Sequence, residues 1–195
     1  MRWAALVGGT GTNLGALIAA EAPIALVVSH KPGVGALDVA AAAGIERLVL
    51  DPRAYPDRDR YDAALLERLR AHGIEALVLA GFLRILTPPV VRAYVGRALN
   101  VHPSLLPAFQ GLHAVRRALR YGVKVTGVTV HLLDEGLDSG PIVFQEAVAV
   151  RPDDTEDSLT ERLHAIEHRL LPKAVRLLDQ ERLIVAGRRV HIRED

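Results

Sequence analysis

The feature that most constrains this chain is a rhythm in its first two thirds, where short apolar runs alternate with longer amphipathic stretches. Residues 3–7, 24–29, 47–50, 76–80 and 97–101 have the length and composition of buried strands. Between them, 13–20, 36–43, 60–71 and 88–94 read as helices, with Gly44 and Gly73 placed as C-terminal stops. Such alternation implies right-handed crossovers and a parallel sheet covered on both faces. The expected fold is therefore α/β: a single Rossmann-like domain with a mostly parallel, twisted sheet and helices on both sides.

The last third breaks that rhythm. Two strand-like runs, 123–133 and 142–150, flank a glycine-rich acidic connection, and a helix is expected from 154 to about 178, its acidic first turn suiting the positive helix terminus. Pro172 is expected to interrupt that helix. Residues 183–185 and 189–192 around Ala186-Gly187 look like a closing hairpin, so the sheet should end in antiparallel strands. One domain over 1–195 is expected, with a phosphate-binding half at about 1–99 and a catalytic half at about 100–195.

Composition narrows the function classes. With 24 basic and 23 acidic residues the net charge is +1, which lacks the basic signature of a nucleic-acid binder. No apolar run approaches the roughly 18 residues of a membrane span. Cysteine is absent, which removes disulfides and thiolate zinc sites; with no targeting segment legible, a cytoplasmic setting is expected. Only two asparagines occur, Asn13 and Asn100, and arginine far outnumbers lysine. Depletion of Asn, Gln, Cys and Met is compatible with heat adaptation.

In an open α/β sheet, ligands gather beyond the carboxyl ends of strands. Four unusual loops follow strands directly: 8–13, 81–87, 101–113 and 134–141. The first enters a helix, where backbone amides and the helix terminus suit a phosphate. It is not a dinucleotide fingerprint, because Leu14 stands where the third glycine would be. Its bland alternative is a tight turn capped by Thr12 or Asn13. In the third loop, Asn100 and His102 lie two residues apart at a strand end, so both side chains fall on one side of the pleat and together can polarise a carbonyl oxygen. Asp134, Glu135 and Asp138 share the fourth loop, where an aspartate facing His102 can hold the imidazole charged and accept a proton. His164-Ala165-Ile166-Glu167-His168 spells an inverted zinc-peptidase signature, but no third ligand lies at a suitable spacing, and it is read as coincidence, with no metal expected.

Taken together, Gly81-Phe82-Leu83-Arg84-Ile85-Leu86, Asn100-Val101-His102-Pro103-Ser104-Leu105-Leu106-Pro107, Gly111-Leu112-His113 and the 134–141 loop resemble the phosphoribosylglycinamide formyltransferases in order and spacing. The resemblance implies transfer of a formyl group from 10-formyltetrahydrofolate to the amine of glycinamide ribonucleotide in purine biosynthesis, without a metal. It implies Asn100, His102 and Asp138 as the catalytic trio. Gly11, Thr12 and Asn13 would hold the substrate phosphate and Glu167 the glycinamide end. Leu83, Arg84, Ile85 and Leu86, with Asn100 and the segment Asp134, Glu135, Gly136, Leu137 and Asp138, would line the folate site, and Arg58 would lie near the folate's glutamate tail. The partners are then small molecules, with neither nucleic acid nor membrane, in a monomer or homodimer. Two departures stand out: Thr10 and Thr12 where Asn and Ser are common, and Gln110 where proline is usual. A methionyl-tRNA formyltransferase or a formyltetrahydrofolate hydrolase would need a further domain, for which the chain leaves no evident room. A non-catalytic phosphate-binding module would need only the first loop.

Overall fold

The computed structural model describes residues 1–194, in which the chain divides into two compact units, Met1–Leu99 and a second from Asn100 onward. In the first, β1 (Trp3–Val7), β2 (Ile24–Ser29), β3 (Glu46–Val49) and β4 (Ala76–Ala80) lie in the order β3-β2-β1-β4, and β2–β3, β1–β2 and β1–β4 all pair in parallel. The crossovers between them carry α1 (Thr12–Ala19), α2 (Gly35–Ala42) and α3 (Arg58–Ala71), and α4 (Pro88–Ala93) follows β4. Every residue of β1 and β4 is buried, as continuous apolar runs in a doubly covered parallel sheet require. Trp3, Tyr61, Leu6, Leu14, Leu17, Leu26, Leu65, Leu69, Leu77 and Leu99 are the largest fully buried residues of this core. Gly44 and Gly73 follow α2 and α3 in the left-handed region that glycine tolerates, as helix stops should.

Strand β5 (Ala98–His102) crosses the boundary between the units. The second unit continues with α5 (Ala114–Tyr121), β6 (Val125–Leu132), β7 (Ile142–Ala149), α6 (Glu156–Asp179), β8 (Leu183–Ala186) and β9 (Arg189–Ile192). Strands β6 and β7 pair antiparallel over most of their length, as do β8 and β9, while β9 meets β7 in parallel. Helix α6 packs on β6 and β7 and receives α5 alongside. Mixed α/β architecture with antiparallel strands near the C-terminus is thus what forms.

Three expectations need correction. Strand β3 is largely exposed rather than buried, because it lies at the end of the strand order and has cover from one neighbour only. Helix α5 was not anticipated from the sequence; its residues follow the proline-rich loop without a side-chain cap, since His113 occupies the N-cap in a left-handed conformation. Pro172 does not interrupt α6, which runs through it for 24 residues. Proline removes one donor to the carbonyl of His168, but a stripe from Leu159 to Leu178 is buried along the same helix, and that packing outweighs the missing bond. The start of α6 is secured by a reciprocal cap: Thr155 accepts from the Ser158 amide and Ser158 Oγ accepts from the Thr155 amide.

Candidate active site

In the first unit, the loop after β1 turns sharply at Gly11, whose φ of 92° places it in the left-handed region at the N-cap of α1. A Cβ on Gly11 would sit 2.6 Å from Ala36 Cα, and one on Gly8 would sit 2.2 Å from the His30 ring and 3.0 Å from the Gly81 carbonyl oxygen. These glycines are therefore required by close approach, and the loop lies pressed against α2 and against the segment after β4. Neither Thr12 nor Asn13 caps the helix, which removes the bland alternative for this pair. Thr12 is exposed and Asn13 half-buried at the first turn, where amides have no intrahelical acceptor.

The segment after β4 keeps Phe82 and Leu86 buried and leaves Leu83 and Ile85 more than half exposed. Its backbone is held from α3: Asp62, itself buried, accepts from the Thr87 amide at 2.5 Å, and Arg58 Nη2 donates to the Leu86 carbonyl at 3.0 Å. The Arg84 guanidinium lies 4.5 Å from the centre of the Tyr61 ring. Burial pushes the Tyr61 hydroxyl up to about 12, so it stays neutral beside that cation. The His30 ring stands edge-on to Phe82, and burial, with Lys31 and Arg84 nearby, lowers its pKa and favours the neutral imidazole.

In the second unit, Asn100 and His102 project from one side of β5, and Asp138 comes to meet them from the 134–141 loop. His102 is buried, and its Nε2 donates to the Phe109 carbonyl at 2.9 Å, because a carbonyl can only accept. That leaves Nδ1 facing Asp138 Oδ2 at 3.4 Å, a contact that becomes a charge-assisted hydrogen bond when the ring holds both protons. Asp138 Oδ2 also accepts from the Gly111 amide at 2.7 Å. Asn100 Nδ2 lies 3.4 Å from Asp138 Oδ1. Gly111, Asn100 and His102 thus converge on one carboxylate.

A fourth side chain, His131 on β6, completes the cluster and was not foreseen. Its Nδ1 donates to the Leu132 carbonyl at 2.9 Å, so Nε2 carries the lone pair and accepts from Asn100 Nδ2 at 3.1 Å. Burial holds the His131 pKa low, outweighing the opposite pull of its bond to the Leu132 carbonyl and of Asp138, and keeps the ring neutral for this task. The sequence signal was a histidine in a strand whose two faces are both filled by Val128, Thr129 and Val130. The loop bearing Asp138 is shaped by Asp134, whose Oδ1 accepts from the Gly136 amide and from Ser139 Oγ. Glu135 and Leu137 are exposed on the same loop. Glu167 is buried on α6 among leucines, whereas His164 and His168 stack on each other 5.9 Å apart. Among the described residues, no group of three or more His, Asp or Glu stands together in a metal-binding arrangement. No described helix is long and apolar enough to cross a membrane.

The formyl transferase family matches residues 1–175. The phosphoribosylglycinamide formyltransferase of Bacillus subtilis is 37% identical over 183 residues, which cover 91% of this chain and 94% of that protein. The chain belongs to the phosphoribosylglycinamide formyltransferase family. A crystal structure of glycinamide ribonucleotide transformylase 1 from Symbiobacterium toebii superposes with a TM-score of 0.96 at 46% identity, covering all of this chain and 94% of that one. The trifunctional purine biosynthetic protein adenosine-3 of Drosophila melanogaster is 47% identical over 185 residues, but the chain spans only 14% of its length.

Proposed function

We propose that the chain transfers the formyl group of 10-formyltetrahydrofolate to the amine of 5-phosphoribosylglycinamide, yielding formylglycinamide ribonucleotide and tetrahydrofolate in purine biosynthesis. The observation that carries this reading is the convergence of Asn100 Nδ2 and His102 Nδ1 on the Asp138 carboxylate, each at 3.4 Å.

The amine nitrogen attacks the formyl carbon directly, and the carbonyl electron pair moves onto oxygen. An oxygen gaining negative charge needs donors already aimed at it. A 3.4 Å contact is at the weak end of hydrogen bonding, so Asn100 can exchange its Asp138 contact for the oxyanion while His131 keeps the amide in place. His102, with Nε2–H committed to Phe109, supplies Nδ1–H when protonated. Asp138 then accepts the proton that the attacking amine sheds, directly or through water, and the tetrahedral intermediate collapses as the C–N bond to the folate breaks and that nitrogen takes a proton.

The binding roles follow the same reading. The first-turn amides at Gly11, Thr12 and Asn13 receive the substrate phosphate, whose charge suits the helix terminus. Glu167, a carboxylate, pairs with the glycinamide end. Exposed Leu83 and Ile85, with Arg84 and Leu86 between and beside them, offer an apolar surface and backbone groups for the pterin. Glu135, Gly136 and Leu137, next to Asp134 and Asp138, supply further groups for the folate, and Arg58 is the cation for the glutamate tail. The test is substitution: His102→Ala lowers kcat at least about a hundredfold, the cost of one lost oxyanion donor, and Asp138→Ala lowers it by at least about the same factor, the scale of a lost general base. Full activity in both would remove the mechanism.

A further inference from the structure

We propose that Gln110 is a positioning residue that clamps the Asp138 loop, so that the carboxylate meets His102 in a fixed orientation. The inference rests on the reading of Asp138 as proton acceptor. Asp138 has a φ of 47°, a left-handed backbone that a non-glycine residue adopts only when its surroundings hold it there. Its loop is half-exposed, and the Asp134 turn orders the loop's first half without reaching Asp138 itself.

The hold comes from three consecutive residues on the opposite loop. Phe109 accepts through its carbonyl from His102 Nε2, and Gly111 donates its amide to Asp138 Oδ2. Between them, the Gln110 side chain sends Nε2 to the Leu137 carbonyl at 3.0 Å and to the Asp138 carbonyl at 3.2 Å. A primary amide has two hydrogens, so one nitrogen serves both carbonyls on the strained peptide at once. The clamp is itself braced from α5. Arg117 Nη1 donates to the Gln110 carbonyl at 2.5 Å, and its guanidinium lies 5.8 Å from the centre of the Phe109 ring, which also meets Tyr121 edge-on. Phe109 too has a left-handed backbone, with a φ of 53°. One bracket therefore sets the tautomer of His102, through the Phe109 carbonyl, and the direction of Asp138, and Gln110 is the member whose side chain holds the Asp138 backbone.

The test is a double-mutant cycle. Gln110→Met keeps the bulk and removes both donors, and Gln110→Glu turns the donor into an acceptor facing two carbonyls. In the full chain, kcat falls about tenfold for Met, the scale of losing one or two modest hydrogen bonds, and further for Glu, while KM for glycinamide ribonucleotide moves less than about twofold. On an Asp138→Ala background the Gln110→Met change leaves kcat where it was, because its effect runs through the missing carboxylate. Hydrogen exchange of Gln110→Met speeds up across 134–140 and nowhere else. Full kcat in Gln110→Met, or the same loss with and without Asp138, overturns the proposal. Full activity of Asp138→Ala overturns the catalytic reading instead; exchange, which needs no turnover, then still decides the clamp, since unchanged exchange at 134–140 refutes it.

Discussion

Replacing His131 with phenylalanine isolates what a buried histidine contributes to this site. The ring is 1% exposed, and it makes two hydrogen bonds, Nδ1 to the Leu132 carbonyl and Nε2 from Asn100, while Asp138 Oδ1 lies 3.7 Å from Nε2. Phenylalanine keeps a flat aromatic ring, slightly larger, but leaves the carbonyl without that donor and the Asn100 amide without its acceptor. A buried group stripped of its partner costs about 1–3 kcal/mol, and the half-buried Asn100 recovers part of its share from water, so the pair amounts to about 2–4 kcal/mol. For a chain of this size each kcal/mol lowers Tm by roughly 2–4 °C, so His131→Phe melts roughly 4–16 °C below the parent. The kinetic loss has a ceiling, the ~10² to 10³ of a missing oxyanion donor; a misaimed amide retains part of its function and loses about tenfold in kcat. The assay is tetrahydrofolate release at saturating substrates, paired with a thermal melt. A lowered Tm with full kcat would mean that His131 packs the site without aiming Asn100. An unchanged Tm would refute the hydrogen-bond reasoning altogether.

Other outcomes follow from the same contacts. A Cβ on Gly140 would fall 1.8 Å from the Leu132 carbonyl oxygen, so Gly140→Ala must displace the loop that carries Asp138; a cost of about 1–3 kcal/mol and a lowered kcat are expected, measured by urea unfolding and turnover. Thr155→Ala removes the cap of α6 and costs about 1 kcal/mol without touching kcat, and a kinetic defect would contradict the separation of cap and site. Burial lowers the folded pKa of His131, so the unfolded chain takes up the proton first as pH falls; its share of stability is complete above about pH 6.5 and is lost as pH falls from there through the depressed folded value. Melts of the parent and His131→Phe at descending pH should therefore converge, and parallel curves would contradict this.

Legibility from sequence followed the range over which each feature is determined. Strand β5 and the placement of Asn100 and His102 on one side of it follow from period-two geometry alone, and the buried β1 and β4 from their uninterrupted apolar runs. Asp138 was readable as a carboxylate on a glycine-rich loop, though its left-handed backbone and the Gln110 contacts that hold it are set by a loop distant in sequence. His131 carries one local mark, a polar ring inside an apolar strand run, but that mark names no partner; its role exists only once β6 brings it within 3.1 Å of Asn100. Pro172 misled because helix propensity is local, whereas the burial of Leu170, Leu171, Ala174 and Val175 is not. The two asparagines kept in an otherwise depleted composition, Asn13 and Asn100, both stand at positions proposed to face substrate, where an amide donor has no apolar substitute.

The central claim is formyl transfer to an amine acceptor, and the most direct measurement follows tetrahydrofolate release from 10-formyltetrahydrofolate with and without glycinamide ribonucleotide. The account predicts release only when the acceptor is present, in step with formylglycinamide ribonucleotide, and at least a hundredfold slower in His102→Ala. Release that proceeds equally without the acceptor would identify a hydrolase and contradict it.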